Sequence, residues 1–130
     1  MKPSLDKNIL ARWIVRDSPK QTQMVDELLG KKQAYVVDMA CLVELEHVLR
    51  SKYLFPRHMI VSHFQMIASH PRLVVDELVL ERVLADYTTY PALSFVDCCL
   101  AEFARSSGNT PLLTFDKKLA RQLPHAELVG

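Results

Sequence analysis

Short apolar, β-rich runs alternate with segments of helical periodicity along nearly the whole chain, and turn residues separate them at close intervals. After a short N-terminal strand ending near Asp6, Asn8 to Val15 reads as a helix. Ser18-Pro19 supplies an N-cap followed by proline at the first helical position, and the helix it opens carries Met24, Leu28 and Leu29 before stopping at Gly30. Ala34-Tyr35-Val36-Val37 reads as a strand, Met39 to Arg50 as a helix with Leu42, Leu45, Val48 and Leu49 on one face, and Pro56 to Ala68 as another. Leu73-Val74-Val75 is a further strand, and Asp76 is placed to cap a helix reaching about Tyr87. Ser94 caps the next helix, which ends near Gly108. Pro111 to Phe115 is a strand, Lys117 to Gln122 a last short helix, and Glu127-Leu128-Val129 an edge strand. This order predicts an α/β fold: one domain over residues 1–130, with a mainly parallel central sheet of four to five strands and helices on both faces.

Composition narrows the function classes. The chain has 130 residues, 49% of them hydrophobic, which suits one core that needs no disulfides. Its net charge of +1 lacks the basic excess of a non-specific nucleic-acid binder, although a group of active-site acids offsets basic patches in the sum. Cys41, Cys98 and Cys99 are odd in number and two are adjacent, so they read as buried apolar residues in a reducing cytoplasm, with no Cys-x-x-Cys zinc pair. No apolar run approaches the roughly 18–20 residues that span a bilayer, and the N-terminus lacks a secretory stretch, so a soluble protein without a membrane partner is expected.

The carboxylates carry the chemistry. In open parallel sheets, sites form beyond the carboxyl ends of the strands. Asp6 follows the first strand, Asp116 follows the strand at Pro111 to Phe115, Glu44 lies in the helix after the second strand, and Asp97 lies in the first turn of its helix. Each also has a structural explanation. Asp6 and Asp116 can be helix caps, Asp97 can answer a helix dipole, and Glu44 can be a solvated helix residue. Asp97 shares a stripe with Leu100, Ala101 and Ala104, where a carboxylate needs a partner. Acids gathered at one edge repel one another, and a hard divalent cation resolves that repulsion. All-oxygen ligation suits Mg²⁺ or Mn²⁺, which activates water and steadies charge on a phosphoryl oxygen.

Four segments carry a resemblance to a known family. They are Leu5-Asp6-Lys7-Asn8-Ile9-Leu10 followed by Arg16-Asp17-Ser18-Pro19; Val43 to Arg50; Leu93-Ser94-Phe95-Val96-Asp97 with Ala101 and Gly108; and Leu113-Thr114-Phe115-Asp116-Lys117-Lys118-Leu119. In that order and spacing the chain resembles the PIN domain, and especially its VapC-like toxin branch. The resemblance implies a metal-dependent ribonuclease, homodimeric and held inactive by an antitoxin. Asp6, Glu44, Asp97 and Asp116 would form its acidic cluster, with Asn8 and Thr114 as supporting polar groups. It also chooses Glu44 over Glu46, which helical periodicity leaves open. Two residues depart from the family pattern. Lys7 stands where a small hydroxyl residue is usual, and Ser94 where many members carry a further acid. Lys7 either points to solvent or sets an ammonium beside the site in competition with a cation. A PIN-like domain that has lost catalysis and binds RNA or protein is therefore the alternative.

Among the remaining residues, Glu44 and His47 have the Glu-x-x-His spacing of di-iron bundles, but the motif occurs once and that chemistry needs two. Arg12, Arg16, Lys117, Lys118 and Arg121 are candidate RNA-phosphate contacts or, equally, solvated helix faces. A two-component receiver domain is disfavoured, because Asp6-Lys7 is not the acid pair it requires and no lysine follows a fifth strand.

Overall fold

The computed structural model describes residues 2–130, and the chain divides into two units, one ending at Asp76 and the other spanning Glu77–Gly130.

The first unit runs α1 (Lys7–Val15), α2 (Pro19–Leu29), β1 (Tyr35–Val36), α3 (Met39–Ser51), α4 (Arg57–Ser69) and β2 (Leu73–Val74). Local chemistry sets most of these boundaries. Asp6 caps α1 by accepting from the Lys7 N–H, and Arg16 ends it in the left-handed conformation at φ 59°. Pro19 sits in the first turn of α2, where its missing N–H costs nothing. Ser18 is the N-cap residue but its hydroxyl makes no capping bond, and Gly30 closes the helix right-handed at φ −79°. The glycine's conformational freedom is therefore not used there.

Helix α3 buries Cys41, Leu42, Leu45, Glu46 and Leu49, and α4 buries Ile60, Phe64 and Ile67. These faces follow the 3.6-residue period and form the unit's core with Leu10, as α1 packs on α3 and α3 on α4. Strands β1 and β2 pair in parallel, Tyr35 with Leu73 and Val36 with Val74. The N-terminal segment lies along the other edge of β1 through a parallel bridge from Ser4 to Val36. The Leu5 N–H donates to the Val36 carbonyl at 2.9 Å, which delivers Asp6 directly to the start of α1.

The second unit runs α5 (Glu77–Thr89), α6 (Phe95–Ser106), β3 (Leu112–Thr114), α7 (Lys117–Gln122) and β4 (Ala126–Leu128). Helices α5 and α6 pack together, and Tyr87 meets Phe95 edge to face with ring centroids 5.3 Å apart. Strand β3 pairs in parallel with β4, Leu112 opposite Ala126 and Thr114 opposite Leu128, and α7 makes the crossover between them. The Glu102 carboxylate is buried but accepts two bonds from Arg105, at 2.9 and 2.6 Å.

The expected α/β alternation is present, in a chain that is mostly helical. The central sheet of four to five strands is not: the strands form two separate parallel pairs. Each strand has only two or three residues, and the N-terminal strand is reduced to one bridge, so the ladders are too short to join into a continuous sheet. None of the helices is long and apolar enough to cross a membrane, among the described residues. The three cysteines are free and buried, as their place on apolar helix faces predicts.

Candidate active site

In the first unit two of the acids engage Lys7, Asp6 through its backbone N–H and Glu44 through its side chain. Asp6 is exposed, and its Oδ1 accepts from the Lys7 N–H at 2.7 Å. The Lys7 side chain crosses to α3, where its Nζ donates to Glu44 Oε2, also at 2.7 Å. The hydrogen bond and the charge of Glu44, with a further contribution from Asp6, hold the ammonium above the ordinary lysine range despite some desolvation. Lys7 therefore does not simply point to solvent.

The structure also separates Glu44 from Glu46. Glu44 is exposed and reaches Lys7, whereas Glu46 is 3% exposed and accepts from Arg50 Nε at 2.9 Å. Asn8 is exposed on the first turn of α1.

One residue here escaped the sequence reading. Asp38 caps α3 by accepting from the Cys41 N–H at 2.8 Å. The Cys41 thiol is pushed up to about 11 by burial and by the negative charges of Asp38, Asp6 and Glu44. Asp6, Asp38 and Glu44 thus act on one point at the start of α3. Asp38 follows a strand run just as Asp6 and Asp116 do, so the same rule applied evenly would have found it.

In the second unit each acid is engaged with its own helix. Asp97 and Ser94 form a reciprocal capping box: the Asp97 N–H donates to Ser94 Oγ at 3.0 Å and the Ser94 N–H to Asp97 Oδ2 at 3.1 Å. This corrects the argument from the apolar stripe. The buried face of α6 is Phe95, Cys98, Cys99, Ala101 and Glu102, while Leu100 is 49% exposed, so half-buried Asp97 lies beside the core. Its carboxylate has a backbone partner, and its position does not by itself demand a cation. Asp116 caps α7, its Oδ1 accepting from the Lys118 and Leu119 N–H groups at 2.9 and 3.3 Å. Thr114 Oγ1 accepts from the Asp116 N–H at 2.9 Å and fixes the backbone that carries this acid.

The candidate cations also divide. Arg12 is committed to Asp17 and to the Tyr53 hydroxyl, and Arg16 forms a fork with both oxygens of Asp26. These bonds hold both aspartates below the usual carboxylate range. Lys117, Lys118 and Arg121 are exposed and make no ion pair among the described residues.

The sequence matches the family model of the PIN domain over residues 4–122, a span that takes in Asp6, Glu44, Asp97 and Asp116. The chain belongs to the PIN-domain family. No curated protein matches it. No solved structure matches it either. PIN domains are generally nucleases, which supports hydrolysis of phosphodiester bonds by this one, and they typically use divalent metal ions.

Hard carboxylate oxygens are the donor type such an ion takes. Asp6 and Glu44 in the first unit, and Asp97 and Asp116 in the second, each have one carboxylate oxygen that takes no part in these hydrogen bonds. Among the described residues, no three His, Cys, Asp or Glu side chains are grouped to hold a metal ion.

Proposed function

We propose that this PIN domain is an endoribonuclease dependent on Mg²⁺ or Mn²⁺ and the toxin of a type II toxin–antitoxin pair. The observation that carries the reading is the family match over residues 4–122, together with the four motif segments inside it. We take Asp6, Glu44, Asp97 and Asp116 as the residues that hold the cation, directly or through water. The bound ion supplies an activated water and charge stabilisation at the phosphoryl oxygen.

The protein's own part is positioning. Helix caps fix Asp6 and Asp116 at the starts of α1 and α7, and the capping box fixes Asp97 in α6. Asn8 and Thr114 support the acids, Thr114 through its bond to the Asp116 N–H. Lys117, Lys118 and Arg121 contact RNA phosphates. The reading includes a cytoplasmic homodimer, residues 1–130 as one domain, and an antitoxin as the protein partner.

The Lys7–Glu44 ion pair favours a second reading, a catalytically weakened PIN domain that binds RNA or protein. One experiment separates the two. Purified protein is incubated with a structured RNA pool in Mn²⁺, Mg²⁺ or EDTA, beside Asp97→Asn. The nuclease reading expects cleavage that requires metal and falls at least a hundredfold in the variant, the usual scale for losing a catalytic group. Equal cleavage by the variant refutes the acid assignment, and no cleavage by folded protein supports the binding module.

A further inference from the structure

We propose that the Lys7 ammonium is a tethered competitor for the divalent cation, so that this chain binds metal more weakly than its carboxylates alone would. The inference rests on the metal-dependent nuclease reading and concerns how that site is regulated. Its basis is the placement of Nζ, 2.7 Å from Glu44 Oε2, on the residue whose own N–H is bonded to Asp6 Oδ1.

Lys7 is the first residue of α1 and Glu44 stands on α3, and the two helices pack together. The ammonium is thereby tied by the backbone to one proposed ligand and by an ion pair to another. A tethered cation competes at a high effective concentration and loses no translational freedom when it binds. A metal ion arriving at these acids has two ways to bind. It displaces Nζ from Glu44, or it binds without that oxygen while facing a positive charge close by. Side chains that are 32% and 56% exposed screen this competition, so its effect is moderate.

The pair also differs from an ordinary surface salt bridge in its surroundings. Lys7 is bonded to Glu44 through Nζ and also feels the charge of Asp6, so one ammonium faces two of the proposed ligands. The hydroxyl residue that the resemblance leads one to expect at this position would carry no such charge.

The test is direct Mn²⁺ binding to the full chain without RNA, read by electron paramagnetic resonance of free Mn²⁺. Lys7→Met, which keeps the apolar stem, and Lys7→Ser are compared with the parent, and thermal melts establish that each variant is folded. Both variants are expected to bind Mn²⁺ about two- to fivefold more tightly, the scale set by one partly screened charge. Lys7→Arg, which keeps the charge, is expected to stay near the parent. Adding Glu44→Gln to Lys7→Met is expected to abolish the gain. Measurable binding that is equal in the parent, Lys7→Met and Lys7→Ser overturns the role of Lys7 and leaves the nuclease reading standing. Absence of Mn²⁺ binding in every folded variant overturns both.

Discussion

Asp116 shows how one side chain can be structural and chemical at once, and how the two roles separate. Its Oδ1 holds the first turn of α7 through two backbone N–H groups. Asparagine preserves that acceptor, whereas alanine removes it at a cost of about 1 kcal/mol. We therefore expect Asp116→Asn to keep the urea midpoint of the parent and Asp116→Ala to lower it. If Asp116 serves the chemistry, both lose RNA cleavage to the same degree; an asparagine variant that cleaves normally reduces the residue to a cap. Asp97 teaches a related point. Its spacing to Leu100 and Ala101 suggested a carboxylate stranded on an apolar stripe, but the capping box with Ser94 supplies the partner within four residues. That box was legible, since Ser94 and Asp97 have the right spacing for one; what hid it was the assumption that Leu100 faces inward.

Among the elements, helices were far more legible than strands. The bounds of α2 and α7 follow from Pro19 and Asp116, which act on their own backbone. Strands of two or three residues carry too few side chains to show alternation, and their pairing depends on partners far away in sequence. Helix α5 adds a testable feature. Burial raises the Asp86 carboxyl above its ordinary value of 3.8, with the positive charge of His125 opposing the shift. A raised carboxyl holds its proton more tightly folded than unfolded, so its contribution to stability falls as pH rises from 3.8 through the folded value. Asp86→Asn removes the charged form. The variant should be more stable than the parent at neutral pH, with the difference shrinking as pH falls toward 3.8, as read from urea midpoints across that range. A constant difference across the range would mean that the substitution acts through packing instead.

For the whole molecule, the chain divides at Asp76 into two units, each with its own helices and one parallel strand pair. The second unit, 77–130, is small for a self-sufficient hydrophobic core. Our reading of residues 1–130 as one domain predicts a single calorimetric transition in which the measured and van't Hoff enthalpies agree. Two resolved transitions would show that the units fold independently. The sequence by itself determined the order of the helices and most of their bounds, because periodicity and capping act within a few residues. It also left two outcomes for Lys7, solvent or the acids. Only the tertiary structure chose between them, because the choice depends on α3 presenting Glu44 to a lysine 37 residues earlier in the chain. For the same reason it distinguished Glu44 from buried Glu46 and broke the expected sheet into pairs. The direction of a long side chain and the partner of a short strand are fixed by packing between elements, which a local pattern does not encode.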